Sequence, residues 1–282
     1  MGGRARPGLD AVGLRRARGW RSVSLASFDE WARRSRRARD SGPILEWICG
    51  RYTNTVGPEE LTEQVGRQLG VQFRESIRTD PWDVRPTDPV PAIVAQDGQP
   101  ESRMLRWALV PAGASTVKTK KPWINATVEG LRSKGSYFGV KPDVAHRALI
   151  LADGFYEWPK PEDEKAKAKL KPPPMRFTVE GERVFCFAGL WVTARHVEGG
   201  PVASCTIITC GATGNRVVAP VHDRMPVILA DPDRIEAWLD PAISAAEALS
   251  LCEPLAADRM SSEIRPLGDG STDSAQVALP VT

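Results

Sequence analysis

The sequence predicts an α+β fold with one β-rich domain. Its 282 residues are 41% hydrophobic, which is enough for a single sizeable core. Twenty-four prolines and 24 glycines indicate many turns and short elements, so a bundle of long helices is not expected. Short apolar and β-branched runs recur between these turn signals, a pattern typical of strands.

The first predicted elements are a strand, a helix and a hairpin. A short strand covers 49–55, and a helix over 58–70 follows it, with a proline and two acids in its first turn and a glycine at its end. Two strand-like runs, 90–98 and 102–111, are separated by Asp97-Gly98, a typical hairpin turn.

The second half of the chain predicts further strands around an exposed loop. In order, these are a strand over 147–158 that turns at Asp153-Gly154, a charged and proline-rich loop over 161–174, a hairpin over 175–192 with its turn near Gly181, a strand over 203–212 and a helix over 231–240.

Charge is spread unevenly along the chain. The formal net charge is +3, but residues 1–48 carry 11 arginines against five acids, and the remainder is net acidic. To bind a nucleic acid, an acidic body must concentrate its positive charge in one groove. We expect residues 1–48 to be an Arg-rich N-terminal extension that is disordered, removed, or translated from a start assigned too far upstream. Residues 49–270 would form the folded domain and residues 271–282 a C-terminal tail.

The cysteines favour a reducing compartment over a disulfide framework, because there are five of them in a long chain. Cys205 and Cys210 have no second Cys or His pair at zinc-ligand spacing, so two strand cysteines are favoured over a metal site. We predict no metal and no other cofactor. The sequence contains no run of about 18 apolar residues, so no membrane helix is expected.

Four polar islands, each within or beside an apolar segment, carry the candidate chemistry. They are ICGRYT (48–53), WINATVE (123–129), ADGFYEW (152–158) and APVHDRMPVIL (219–229). Their reactive groups are Cys49, Asn125, Glu157 and His222. Taken singly, each has a simpler explanation than catalysis. Cys49 would be a core residue, Asn125 a turn residue, Glu157 an exposed strand position and His222 a half-buried histidine. Taken together, in a chain with three histidines, they indicate one site.

In this order the islands resemble the SRAP family, the SOS response-associated peptidases or abasic-site processing proteins. The family's Met-Cys-Gly-Arg-Tyr start is similar to Ile48–Tyr52, and its INAR-x-E motif is similar to Ile124–Glu129. Further matches are DGFYEW (153–158), HDRMP (222–226), RWALVP (106–111), RPT (85–87) and AGLW (188–191). The likeness covers roughly residues 48–268, and it implies mainly antiparallel sheets in a barrel-like core with flanking helices.

The resemblance implies covalent capture of abasic sites in single-stranded DNA, as part of the DNA damage response. An open-chain abasic sugar is an aldehyde, and an N-terminal cysteine carries amine and thiol on adjacent carbons, which together close a thiazolidine ring. Cys49 would supply both groups. Asn125 would orient the amine, Glu157 would shuttle protons with a raised pKa, and His222 would act as acid–base on the sugar.

The expected DNA contacts lie beside these groups in sequence. Arg51 and Arg224 would contact phosphates. Trp107 or Trp123 would stack on an exposed base, and core packing is an equally good alternative for either ring.

This chain departs from the family pattern at positions that bear on these roles. Cys49 follows 48 residues, so it has no free amine while the peptide bond before it is intact. Thr127 replaces the INAR arginine, and Asp83 stands where the family has asparagine. Both replacements are expected to weaken DNA affinity or to alter context preference.

Two other functions stay open. A cysteine peptidase that uses Cys49 with His222 would cut its own chain before Cys49. Lyase activity at abasic sites would be an additional activity of the protein that captures them. Alternatively, a non-catalytic single-stranded-DNA binder would draw its affinity from the Arg-rich extension. We expect a cytoplasmic monomer with no membrane partner, associated with the nucleoid when it acts on DNA.

Overall fold

The computed structural model describes residues 49–74, 80–96, 98–119, 122–159, 173–265 and 267. The chain divides into two units, 1–40 and 41–282, and every described residue lies in the second. The predicted N-terminal extension, the predicted tail and most of the predicted loop over 161–174 fall outside the described residues. The predicted domain boundaries therefore stay predictions.

The described part of the chain consists of short strands with a few helices. The strands are β1 (Arg51–Thr53), β2 (Pro89–Gln96), β3 (Gln99–Trp107), β4 (Asn125–Thr127), β5 (Arg147–Ala152), β6 (Gly154–Glu157), β7 (Met175–Val179), β8 (Phe185–Ala194), β9 (Val202–Gly211), β10 (Arg224–Pro226), β11 (Ile228–Leu229) and β12 (Met260–Ile264). The helices are α1 (Pro58–Leu61), α2 (Val128–Lys134), α3 (Pro232–Leu239) and α4 (Ala245–Ser250).

These strands form two sheets. The larger sheet has the order β10-β9-β3-β2-β5-β8-β11, with β4 beside β9. Because β9 pairs with both β3 and β8, the larger sheet curls back on itself. The β3–β9 pairing covers only two residue pairs, so the barrel is not fully closed. The smaller sheet, β1-β6-β7-β12, is antiparallel throughout. The predicted β-rich α+β class with a barrel-like core is confirmed.

Several predicted elements are found close to their expected bounds. The hairpin around residue 98 is formed by β2 and β3, and the strand over 203–212 is β9. The helix over 231–240 is α3. The helix predicted over 58–70 is α-helical only to Leu61 and continues as a π-helical turn, Thr62–Gly66. None of the described helices has the length and apolar character needed to cross a membrane.

The predicted hairpin over 175–192 is wrong. β7 pairs with β6 and β12 in the smaller sheet, whereas β8 pairs with β5, β9 and β11 in the larger one. Gly181 does turn the chain, with a φ of 77°, but the turn carries it from one sheet to the other. Side-chain alternation indicates which face of a strand is buried, but it does not indicate which strand it pairs with. The sequence pattern therefore could not distinguish the observed pairing from a hairpin of β7 and β8.

A second crossing between the sheets positions the site. The chain bends at Asp153-Gly154, between β5 in the larger sheet and β6 in the smaller. The buried Arg176 guanidinium donates to the Asp153 carbonyl at 2.8 Å and to Thr53 Oγ1 at 3.2 Å. A Cβ on Gly154 would lie 2.6 Å from Arg176 Nε, so glycine is required beside this network. The bend sets β6, which ends at Glu157, alongside β1.

Gly189, in the AGLW segment of β8, allows β8 and β9 to approach closely. A Cβ there would lie 2.6 Å from Ile150 Cδ1 and 2.8 Å from the Thr206 carbonyl oxygen. Because that carbonyl belongs to β9, it cannot move without disturbing the pairing. Gly189→Ala is predicted to lower the free energy of unfolding by about 1–3 kcal/mol, measured by urea denaturation.

Gly113→Ala is the matched control, since a Cβ on Gly113 meets nothing within 4 Å. The control should change the free energy of unfolding by less than roughly 0.5 kcal/mol. Equal effects of the two substitutions would contradict the packing explanation.

Candidate active site

Cys49 and Glu157 are brought into direct contact. Cys49 lies just before β1 and is 3% exposed. Its backbone nitrogen donates to Glu157 Oε1 at 2.5 Å. The contact follows from the pairing of β1 with β6, in which Arg51 lies opposite Tyr156. This nitrogen is a peptide N–H because residue 48 precedes it, and it marks where an α-amine would stand in a chain that began at Cys49.

Glu157 is a buried carboxyl whose raised pKa allows it to exchange a proton near neutral pH. Its side chain is 2% exposed. Burial raises the pKa of Glu157 to about 8; the hydrogen bonds with Cys49 oppose the rise, and the charge of Asp223 adds to it. Such a carboxyl is mostly protonated at neutral pH and can release and regain its proton there. A proton shuttle at neutral pH would need such a raised pKa, and the role itself stays a prediction.

The Cys49 thiol keeps its proton at neutral pH. Burial raises the pKa of the thiol well above its ordinary value, and the neighbouring Glu157 raises it further, while Arg224 acts in the opposite direction. Since the thiolate is the reactive form, an attacking Cys49 would have to pass its proton to a base as it reacts. Glu157 hydrogen-bonds the thiol, so once the carboxyl has given up its own proton it is placed to accept that of the thiol.

His222 is oriented by the chain that follows it. Its Nδ1 lies 3.0 Å from the backbone nitrogen of Arg224, whose N–H donates to it. The same ring nitrogen lies 3.2 Å from Asp223 Oδ1. Nδ1 therefore has one donor and two acceptors among its neighbours: the Arg224 N–H, the Arg224 carbonyl oxygen at 3.2 Å and Asp223 Oδ1. An imidazole in such surroundings can exchange a proton with a substrate oxygen near neutral pH.

The remaining site residues flank β9. On one edge β4 lies parallel to β9, with the half-buried Asn125 opposite Ile207. On the other edge β10, which begins two residues after His222, pairs with β9 so that Arg224 lies opposite Gly211. The structure thus places Cys49 and Glu157 in direct contact. Asn125 and His222 lie on segments next to β9.

Arg224 is bound to a carboxylate. Its Nη2 atom lies 2.9 Å from Glu129 Oε2 and donates to the Thr209 carbonyl at 2.8 Å. The hydrogen bond from Arg224 lowers the pKa of Glu129, an exposed residue in the first turn of α2. The sequence assigned no role to Glu129, although it lies inside the WINATVE island. A DNA phosphate would have to share Arg224 with this carboxylate or displace it.

Arg51 is also held by an acid. Its Nε atom lies 3.0 Å from Oδ1 of Asp83, whose side chain is 1% exposed. Arg85 binds the same carboxylate, with its Nε donating to Oδ2 at 2.7 Å. One carboxylate between two arginines leaves the trio with a single net positive charge. The Arg85 side chain is 43% exposed against 18% for Arg51, so Arg85 is the more accessible cation.

The two candidate tryptophans differ in exposure. Trp107 has no exposed surface; its Nε1 donates to the Ile124 carbonyl at 3.2 Å, and its ring meets Tyr52 edge-on at 5.2 Å. Core packing therefore describes Trp107, which has no face available to a base. Trp123 is half-buried and lies two residues before Asn125.

The described residues contain no group of three or more His, Cys, Asp or Glu side chains that could hold a metal ion. All five cysteines are free thiols. Cys205 and Cys210 both lie on β9, as expected for strand cysteines.

Comparison with known proteins finds a matching family model and several relatives. A family model described as SOS response associated peptidase (SRAP) matches residues 48–266. Abasic site processing protein YoqW of Bacillus subtilis is 36% identical over 215 residues, which cover 76% of this chain and 90% of YoqW. Abasic site processing protein HMCES of Gallus gallus is 29% identical over 239 residues, covering 73% and 70% of the two chains. Abasic site processing protein YedK of Escherichia coli is 26% identical over 243 residues, covering 83% and 100%.

A solved structure shares the fold. A protein from Bordetella bronchiseptica matches with a TM-score of 0.61 at 23% identity, covering 76% of this chain and 98% of that one. At that identity the likeness concerns the fold alone. The family model, by contrast, spans most of the chain, and its range includes all four candidate catalytic residues. The chain belongs to the SRAP family.

Proposed function

We propose that this protein processes abasic sites in single-stranded DNA by forming a covalent link through Cys49. The proposal is carried by the 2.5 Å contact between the Cys49 nitrogen and the buried carboxyl of Glu157. The names of YoqW, HMCES and YedK as abasic site processing proteins support the substrate class. A proton donor held against a potential amine fits the chemistry of aldehyde capture.

The reaction joins an aldehyde to an aminothiol and releases water. A free Cys49 amine adds to the aldehyde carbon, and the resulting carbinolamine loses its hydroxyl as water when Glu157 donates a proton. The thiol sulfur then adds to the iminium carbon, and its proton returns to the Glu157 carboxylate. The products are a thiazolidine and one water, and Glu157 ends in its starting state.

The other site residues take supporting roles in this proposal. Asn125 orients the amine, and His222 acts as acid–base on the sugar oxygen during ring opening. Arg51 and Arg224 bind the flanking phosphates, and each does so in competition with the carboxylate that it already contacts. The net gain from each phosphate contact is therefore smaller than for an unpaired arginine.

Cleavage of the chain before Cys49 is a second activity that the same contact favours. The nitrogen beside Glu157 is the leaving group of that cleavage. The Cys49 thiol attacks the preceding carbonyl, Glu157 passes the thiol proton to the nitrogen, and water hydrolyses the thioester. Cys49 has a φ of 48°, which costs a non-glycine residue about 1–3 kcal/mol, and cleavage removes this torsion. One site would thus generate the amine that it needs.

The first prediction concerns the crosslink itself. Single-stranded DNA that carries uracil and is treated with uracil glycosylase should form a heat-stable adduct on a denaturing gel. Cys49→Ser should abolish the heat-stable adduct because a hydroxyl in place of the thiol can give at most an oxazolidine, which hydrolyses readily. Cys210→Ser, which removes a buried thiol near Cys49, should retain it. An adduct that survives in Cys49→Ser would show that another residue reacts.

The second prediction concerns pH. In a chain that starts at Cys49, the capture rate should rise as the amine loses its proton, near pH 8 for an ordinary α-amine. It should fall again as Glu157 loses its proton; the pKa of about 8 applies to the uncut chain, and a free amine at the Cys49 nitrogen would couple its own titration to that of Glu157. Glu157→Gln should lower the maximal rate by roughly 100-fold or more and remove the alkaline fall. An alkaline fall that persists in Glu157→Gln would exclude Glu157 as the proton donor.

A further inference from the structure

Phe138 is an exposed aromatic residue that stacks on Trp123 of the WINATVE island. Among the described residues it is the large hydrophobic side chain that stands out as exposed, at 49%. Its ring stacks on Trp123 with centroids 3.9 Å apart and planes 27° apart, and Tyr137 meets it edge-on at 4.7 Å. Trp123 covers one face of the ring, and about half of the residue's surface is open to solvent.

The backbone holds Phe138 at the tip of a tight turn. Tyr137 and Val140 exchange two backbone hydrogen bonds, of 2.9 and 3.0 Å. Between them, Phe138 has a φ of 49° and Gly139 a φ of 81°. Two central residues with positive φ define the hairpin turn in which asparagine followed by glycine is strongly preferred. Phenylalanine is a poor choice for this backbone, so the needs of the turn do not explain the aromatic ring.

The turn contacts the WINATVE island through Trp123, and two lysines flank it in sequence. Trp123, which supports Phe138, is two residues from Asn125, a span of roughly 7 Å in extended chain. Trp123 is fixed in place because its carbonyl accepts from the Leu109 N–H at 2.9 Å. Lys134 and Lys141, both exposed, flank the turn in sequence. Exposed rings among cations are the combination by which proteins bind single strands without sequence preference.

We propose that Phe138, supported from behind by Trp123, is a stacking platform for a base of the DNA strand next to the abasic site. The inference rests on the proposed function for the identity of the strand. It assigns the contact with the base to Phe138, whereas Trp123 acts as the inner ring of the stack. Every base presents a flat π face, so the platform tolerates any neighbouring sequence.

The test measures binding by fluorescence anisotropy in the Cys49→Ser background, where covalent capture cannot interfere. The probes are single-stranded oligonucleotides with one abasic site and one stable baseless residue, a tetrahydrofuran spacer, moved along the strand. With Phe138 present, removal of the base at one position should weaken binding roughly fivefold or more. Phe138→Asn should bind the fully based strand with that weaker affinity and lose the sensitivity to that position.

Two variants separate stacking from folding. Asparagine is the preferred residue at this turn position, so thermal unfolding of Phe138→Asn should stay close to that of the parent. Phe138→Trp keeps a stacking face and should keep the affinity and the positional profile. Equal affinities and profiles for Phe138 and Phe138→Asn would overturn the platform. Loss of affinity in both variants would also overturn it, because the residue would then act through the turn.

The outcomes also distinguish this inference from the proposed function. Binding to undamaged single-stranded DNA that drops in Phe138→Asn would support the platform even if the Cys49 protein formed no adduct. An adduct that forms at the same yield and with the same DNA affinity in Phe138→Asn would support the proposed function and refute the platform.

Discussion

The contact between the Glu157 carboxyl and the Cys49 nitrogen is the interaction on which the proposed chemistry depends. Glu157 holds its proton near neutral pH because its carboxyl is buried. That burial comes from β6, whose four residues are all buried. Pairing of β1 with β6 then brings the nitrogen to the carboxyl, across 108 residues of sequence. The bend at Gly154, packed against Arg176, allows the chain to leave the larger sheet after β5, so that β6 pairs with β1 in the smaller sheet.

Acids offset the positive charge around this contact. Arg224 is paired with Glu129, and Arg51 shares Asp83 with Arg85. A phosphate that binds either arginine replaces an existing ion pair, so electrostatics alone would provide modest affinity. Under the proposed function, low affinity is compatible with retention of the DNA, because a covalent bond keeps the damaged strand in place. A stacking contact at Phe138 would help to position the strand before the bond forms.

The sequence anticipated the fold class and the proximity of Cys49 and Glu157, and it failed where the outcome depends on tertiary partners. The order of the motifs indicated Cys49 and Glu157 as members of one site, although nothing local to either residue does so. Pairing of β7 and β8 was wrongly expected, because alternation does not select a partner strand. The carboxylates that bind the two arginines, the full burial of Trp107 and the exposure of Phe138 are all set by distant packing. Phe138 has one local signal, a phenylalanine before glycine in a turn that prefers asparagine.

Covalent capture through a free Cys49 amine can be tested by the intact mass of the purified full-length protein, before and after incubation with single-stranded DNA that contains one abasic site. We expect the mass of a chain that begins at Cys49, and an adduct with the mass of that chain plus the DNA minus one water. An adduct on a chain that still carries residues 1–48 would contradict it, because the Cys49 nitrogen would then be an amide. A chain that begins at Cys49 and forms no adduct would contradict it equally.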